Sequence, residues 1–245
     1  MPLMTQRPGR NMTGQAIGLL VLETHAVLLP GNVANATTFK FPVMYRVVKG
    51  VEADRLIVRA DPTLLEPLIE AGRELVREGV RAISSGCGYF GFFQREMAEA
   101  LDVPVFMSSL LQVPLMARAL KPGQAVGIVC ANGKFMRERT LRSCGIDESV
   151  PLVIAGLEDQ PTFYTNFLLN QGHADTDVMA QEVIGVATKM VKDHPEIGAI
   201  LLECSDLPPY ASAIQAATGL PVFDFVTMIN WMFDAVVRRP YEGYI

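Results

Sequence analysis

Residues 81–90 have the sequence RAISSGCGYF, and residues 199–210 have the sequence AILLECSDLPPY. Each segment starts as an apolar run of the kind found in buried strands and then enters a turn. Glycines flank Cys87 in the first turn, and two prolines that mark the start of a helix follow Cys204 in the second. The two segments are therefore predicted to be equivalent strand-to-helix turns, each carrying a cysteine.

Outward from these turns, apolar runs alternate with helical patterns along most of the chain. The predicted strands are 16–22, 43–48, 80–84, 103–107, 125–130, 151–155, 199–202 and 221–226. The predicted helices are 61–78, 92–101, 110–120, 134–143, 175–192, 211–218 and 228–238. This order is typical of a parallel sheet covered by helices on both faces, so the expected fold class is α/β. A Lys-Pro-Gly break at 121–123 divides it into two series of similar layout, which predicts two similar lobes.

Composition argues against several classes of partner. The 245 residues are 50% hydrophobic, which is enough for a substantial core. The net charge is −5 and the Lys and Arg residues are scattered, so no nucleic-acid partner is expected. The apolar stretch at 16–22 is too short to span a membrane and is not framed as a signal peptide. We therefore expect a cytoplasmic protein with no membrane partner.

Four widely separated cysteines form no CxxC pair and have no histidine at zinc spacing, so neither a metal site nor a disulfide framework is predicted. In open α/β sheets, ligands bind beyond the carboxyl ends of the strands, where Cys87 and Cys204 are expected. A thiol near a helix N-terminus has a lowered pKa, so either residue is a candidate base. Unpaired cysteines are also often buried packing residues. Cys130 is a weaker candidate at the end of another strand, and Cys144 is expected to be structural.

An alternative lies in the same segment, since Gly86, Gly88 and Gly91 match the GxGxxG pattern of dinucleotide-binding turns. The match follows about the third predicted strand instead of the first. No second strand ends in an acidic residue at the expected distance, because Asp102 precedes a strand. The pattern is thus a weak indication of a nucleotide site.

The two cysteine turns, their separation and the two-lobed order resemble the aspartate/glutamate racemase superfamily. This superfamily includes glutamate, aspartate and hydantoin racemases, maleate isomerase and arylmalonate decarboxylase. The most specific matches are SSGCGY at 84–89 and LECSDLPPY at 202–210, with GLPVFD at 219–224 resembling the last strand of the family. The resemblance implies two Rossmann-like lobes with parallel sheets, related by a pseudo-twofold axis and enclosing the active site. One lobe would comprise residues 1–112 plus 219–245, and the other residues 113–218.

The resemblance further implies a cofactor-independent racemase or epimerase, an isomerase that acts on an amino acid or related carboxylate. Cys87 and Cys204 would exchange the substrate proton as acid and base from opposite faces of one carbon, without a metal or pyridoxal phosphate. The substrate carboxylate would be bound by five residues of the adjoining turns and the first loop, namely Asn32, Ser85, Gly88, Tyr89 and Ser205. Glutamate racemases usually have Asn-Thr and Thr-His after the two cysteines, where this chain has Gly88-Tyr89 and Ser205-Asp206.

Three other functions remain open at this stage. The same scaffold supports cis–trans isomerisation of maleate-type diacids and decarboxylation of malonates, although two thiols disfavour the decarboxylase. A non-catalytic small-molecule binding protein would also retain the cleft. The family precedent and the apolar C-terminal helix with Trp231 and Phe233 predict a homo-oligomer such as a dimer.

Overall fold

The computed structural model describes residues 12–244, which contain two sheets of four parallel strands. The strand order is β2-β1-β3-β4 in the first sheet and β6-β5-β7-β8 in the second. The strands are β1 (Ile17–Val21), β2 (Val43–Val47), β3 (Ala82–Ser85), β4 (Val105–Phe106), β5 (Ala125–Cys130), β6 (Leu152–Gly156), β7 (Ile197–Leu202) and β8 (Val222–Phe223). Because both sheets have the same order, the predicted α/β class with two similar lobes is confirmed.

In the described part of the chain, eight α-helices connect or cover these strands. They are α1 (Leu65–Glu78), α2 (Gln94–Ala100), α3 (Val113–Ala119), α4 (Glu138–Ser143), α5 (Pro161–Phe163), α6 (Thr176–Asp193), α7 (Ala211–Thr218) and α8 (Phe225–Val236). Short 3-10 turns precede α1, α2, α3 and α7. Within residues 12–244, no helix combines the length and the apolar composition that crossing a membrane requires.

Each lobe also contains a π-helical turn after its second strand, at Asp54–Val58 in the first lobe and Tyr164–Leu168 in the second. A residue with positive φ follows each turn, Ala60 in one lobe and Asn170 in the other. The sequence pattern predicts neither turn. Both contribute residues to the cleft between the lobes, so the pseudo-symmetry extends from the sheets to the segments that surround the site.

The central strands are buried on both faces, which explains why they are continuous apolar runs. In β1, Ile17 and Leu19 face α8, whereas Leu20 belongs to the cluster that includes α1. In β5, Val126 and Ile128 pack with α3, and Val129 lies on the face covered by α6. Each sheet is thus a middle layer between two helical layers.

The two lobes exchange helices. After β4 of the first sheet, Val113 and Met116 of α3 pack against β5 of the second sheet. After β8 of the second sheet, Phe225 and Met228 of α8 pack against β1 of the first.

The sequence suggested a return to the first lobe at residue 219, but β8 pairs with β7 in the second sheet. The crossing lies at Asp224, whose side chain caps α8 by accepting from the Thr227 N–H at 2.7 Å.

Candidate active site

Cys87 and Cys204 occupy equivalent positions in the two lobes. Cys87 lies two residues after the end of β3, and Cys204 two residues after the end of β7. Cys87 also precedes the 3-10 turn Gly88–Phe93, with an extended backbone at φ −164°. Both cysteines are almost fully buried and line one cavity between the lobes. The fold therefore brings together two thiols that are 117 positions apart in the sequence.

The backbone donors around the two sulfurs are also equivalent. The N–H of Tyr89 favours the Cys87 thiolate, and the N–H of Asp206 favours the Cys204 thiolate, so each donor lies two residues after its cysteine. The sequence predicted lowered thiol pKa values, but the structure overturns this expectation. Burial raises the pKa of both thiols, and the neighbouring carboxyls of Glu203 and Asp206 raise it further. Without a ligand, both residues are held as neutral thiols.

Glu203 is a fully buried carboxyl beside this pair. It immediately follows β7, and within the described residues neither of its carboxyl oxygens has a hydrogen-bond partner. A Cβ at Gly88 would collide with a carboxyl oxygen and the backbone oxygen of Glu203, so only glycine fits there. Burial and the charge of Asp206 raise the pKa of Glu203 to about 8. Glu203 is therefore mostly an uncharged acid at neutral pH.

Asp206 faces the cavity from the turn after Cys204. Its carboxylate accepts from the Cys204 thiol, with 3.2 Å between Sγ and Oδ2, and from the side-chain amide of Asn32. Burial raises its pKa to about 6, and the two hydrogen bonds act in the opposite direction. The carboxylate is therefore mostly ionised at neutral pH.

The long loop after β1 brings Asn32 into the site, where it is almost fully buried. Its Oδ1 accepts from the N–H of Ala34 at 2.7 Å, which orients its NH₂ group toward Asp206. Ser205 also lines the cavity, and its hydroxyl donates to the Gly86 carbonyl at 2.7 Å. Two of the five predicted substrate-binding residues thus lie at the cavity wall.

The other three predicted substrate-binding residues lie behind the cavity wall. The Ser85 hydroxyl donates to the Met107 carbonyl at 2.6 Å, and Gly88 packs against Glu203. The Tyr89 hydroxyl donates to the Asn132 carbonyl at 2.6 Å and accepts from the Asn132 N–H at 2.9 Å. The Ser85 bond lies within the first lobe, whereas the contacts of Gly88 and Tyr89 hold the two lobes together.

The glycine pattern that resembles a dinucleotide-binding turn also has a packing explanation. A Cβ at Gly86 would meet Val21, and one at Gly91 would meet the sulfur of Cys144, both at 2.9 Å. Together with the contact at Gly88, the spacing allows close packing between chain segments. The first turn after β3 is fully buried, which leaves no open helix N-terminus for a phosphate there.

Sequence reasoning did not assign Glu203, Asp206 or the π-helical turns to the site. Glutamate racemases usually have Thr-His after the second cysteine, and the Ser205-Asp206 found there instead was a usable signal for Asp206. An acidic residue at the end of an apolar strand was a signal for Glu203. Four apolar residues of the π-helical turns and their flanks line the cavity, and no local pattern marks them. They are Ala53, Ile57, Phe167 and Leu168.

Cys130 and Cys144 lie in the core of the second lobe and do not line the cavity. Burial raises the pKa of both thiols, to about 12 for Cys144. Among residues 12–244 no group of three or more His, Cys, Asp or Glu side chains is arranged to hold a metal ion.

Solved structures with this architecture define the class of fold. An arylmalonate decarboxylase variant has a TM-score of 0.63 at 16% identity, covering 92% of this chain and 96% of that one. The aspartate racemase of Picrophilus torridus has a TM-score of 0.57 at 14% identity, covering 93% and 96%. A glutamate racemase of Bacillus anthracis has a TM-score of 0.57 at 15% identity, covering 90% and 82%. The fold is that of the aspartate/glutamate/hydantoin racemase superfamily, as the sequence resemblance predicted.

Curated relatives narrow the assignment. A dimethylsulfoniopropionate lyase of Durusdinium sp. clade D is 30% identical over 244 residues, covering 96% of this chain and 80% of the relative. Dimethylsulfoniopropionate lyase 7 of Emiliania huxleyi is 33% identical, covering 93% and 69%. Lyase 3 of Emiliania huxleyi is 34% identical over 237 residues, and the chain spans 61% of that relative's length. The chain belongs to the dimethylsulfoniopropionate lyase family. No family model matches it.

These relatives correct the function inferred from the sequence. A racemase or other isomerase acting on amino acids was expected, but the relatives at 30–34% identity over most of the chain are lyases. The prediction was wrong because a shared fold does not specify the reaction.

Proposed function

We propose that this chain is a lyase that cleaves the carbon–sulfur bond of dimethylsulfoniopropionate or a close sulfonium carboxylate. The observation that carries this proposal is the pair of buried thiols that face one cavity in a chain of the lyase family. The products would be dimethyl sulfide and acrylate.

This elimination needs one base. A thiolate removes a proton from the carbon next to the substrate carboxylate, and the C–H electrons form the new carbon–carbon double bond. The bond between the β-carbon and sulfur breaks, and its electron pair leaves with the sulfur as neutral dimethyl sulfide. The carboxylate is retained in acrylate, and the resulting thiol returns its proton to solvent before the next turnover.

Cys87 is the better base of the two, because of its neighbours. A Cys204 thiolate would lie beside Asp206, the charge that raises its pKa most, and the Cys204 thiol already donates to this carboxylate. The charge that most raises the pKa of Cys87 is Glu203, which is mostly uncharged at neutral pH, while Asp206 has a smaller influence. The backbone N–H of Tyr89 favours the thiolate directly. Cys204 would then act as a fixed neutral donor in the site.

A sulfonium substrate also explains how a buried thiol with a raised pKa becomes a base. Its positive charge enters the cavity next to the sulfur and favours the thiolate, whereas an anionic substrate would disfavour it. Water leaves the cavity at the same time, which strengthens this attraction. The base would be formed in the complex and not in the free enzyme.

The test is dimethyl sulfide release, measured by headspace gas chromatography, together with acrylate formation. We expect Cys87→Ala to lower kcat by about 10²- to 10⁴-fold, the usual range for loss of a general base. Cys204→Ala should retain more activity, and Cys144→Ala, outside the cavity, serves as the matched control for loss of a buried thiol. Equal losses at both cavity cysteines would refute the one-base assignment. Absence of cleavage by the unsubstituted protein would refute the lyase proposal.

A further inference from the structure

Asp206 is the one charged side chain among the cavity-lining residues in the described part of the chain, residues 12–244. Most of the wall is apolar. It is formed by Val21, Leu22, Leu28, Ala34, Ala53, Ile57, Ala131, Phe167 and Leu168. The remaining lining groups are neutral polar residues, the two thiols and one glycine.

Within residues 12–244, no cationic side chain compensates this carboxylate. None of the ion pairs found within residues 12–244 includes Asp206. The two groups that bond to it, the amide of Asn32 and the thiol of Cys204, are both neutral. Nor does any Lys, Arg or His lower its pKa. An ionised carboxylate that faces an apolar cavity without a partner charge is costly, and a cationic ligand would relieve this cost.

We propose that Asp206 pairs with a fully alkylated cationic centre of the substrate and thereby selects onium carboxylates over neutral acids, dicarboxylates and primary amines. This inference rests on the proposed function, because it assigns the substrate class of the same site. Repulsion by Asp206 disfavours a second carboxylate, which explains why a cavity of this fold need not accept aspartate or glutamate.

Hydrogen bonding separates alkylated cations from primary amines. One oxygen of Asp206 already accepts from Asn32 and the other from Cys204, so the carboxylate attracts a cation chiefly through charge. A primary ammonium needs three acceptors to replace its water, and an apolar wall does not supply them. A sulfonium or quaternary ammonium group has no N–H donors, and its methyl groups match the apolar wall. The ring of Phe167 in this wall is a further favourable surface for such a cation.

Two ligands of equal size and one smaller primary amine test this selection by calorimetry. They are 3-(trimethylammonio)propanoate, 4,4-dimethylpentanoate, which is its isostere without the cationic centre, and the primary amine 3-aminopropanoate. We expect the unsubstituted protein to bind the quaternary ammonium compound about 10- to 1000-fold more tightly than the isostere, the range that corresponds to pairing with one nearby opposite charge. Asp206→Asn should remove this preference, and Asp206→Glu should restore part of it. Equal affinities of the unsubstituted protein for the isosteres with and without the cationic centre would overturn the proposal.

The preference should also decline as the pH falls through about 6, the pKa of Asp206. The other titratable groups around Asp206 are Glu203, Cys204, Cys87 and Tyr210, and burial raises the pKa of each. The pKa of Glu203 is about 8 and that of Tyr210 about 12, so between pH 5 and 7 the change in charge is mainly that of Asp206. A constant preference over this range would count against the proposal. This measurement needs only the unsubstituted protein, so it tests the proposal even if Asp206→Asn does not fold.

The test of Asp206 and the test of the lyase proposal can fail independently of each other. Cleavage of dimethylsulfoniopropionate without any preference for the cationic isostere would refute the role of Asp206 and leave the lyase proposal intact. A clear cationic preference without cleavage would support Asp206 as a selective group and refute the lyase reaction.

Discussion

Replacing Glu203 by glutamine should stabilise the protein in a pH-dependent way. The pKa of this carboxyl is about 8 in the folded chain, against an ordinary value of 4.5. Since the folded value is raised, its contribution to stability is fully present below pH 4.5 and is lost as the pH rises toward 8. Glutamine keeps the size of the side chain and cannot ionise. The variant should therefore gain over the unsubstituted protein by about 1.4 kcal/mol per pH unit across this interval.

Relative to the difference below pH 4.5, the expected gain is about 3 kcal/mol at pH 7 and approaches about 5 kcal/mol above pH 8. Urea denaturation of both proteins at pH 5, 6, 7 and 8 gives the difference in unfolding free energy at each pH. Glu99→Gln, at an exposed position on α2, controls for the chemical change alone. Other groups with raised pKa values are present in both proteins, so only their coupling to Glu203, above all that of Asp206, enters the difference. A difference that does not change with pH would refute the conclusion that Glu203 is buried without a compensating partner.

Two further substitutions test the contacts that hold the lobes together. Gly88→Ala should destabilise the protein by several kcal/mol or prevent folding, because its Cβ would collide with Glu203. The control Gly185→Ala in α6 adds a Cβ that meets nothing within 4 Å. In thermal denaturation this control should stabilise the protein by up to about 1 kcal/mol. Tyr89→Phe should cost about 1–3 kcal/mol, because it leaves buried backbone groups of the opposite lobe without a partner. Tyr210→Phe removes a buried hydroxyl that has no partner in the described structure, so it should be neutral or stabilising in the same assay. Similar losses of stability for both tyrosine variants would contradict this explanation.

The strand positions could be predicted from the sequence because both faces of the central strands are covered. Runs such as Ala125–Cys130 are apolar throughout and end in turn residues. This signal can be recognised from the local sequence alone. The strand-to-helix turns at Cys87 and Cys204 were predictable for the same reason. The helix starts were less predictable, since 3-10 turns precede several helices. The helix predicted from residue 92 is preceded by the turn Gly88–Phe93 and begins as α2 at Gln94.

The electrostatics of the site could not be predicted locally. The contact between Asn32 and Asp206 joins residues 174 positions apart, and no sequence period indicates it. The raised thiol pKa values depend on burial and on the carboxyls of Glu203 and Asp206, which outweigh the local effect of the turn. The π-helical turns also have no periodic signature, because each is a single turn of five residues. Composition and spacing thus locate the cysteines, and only the folded chain determines their protonation.

The exchange of α3 and α8 between the sheets has a consequence for how the chain unfolds. Removing either lobe would strip the other of one of its two helical layers and expose the apolar faces of β1 or β5 to water. Neither half is therefore a separate cooperative unit, and we expect a single unfolding transition in spite of the two sheets. The thiols share this cooperativity, since the turns that carry them are lost in the same step as the sheets.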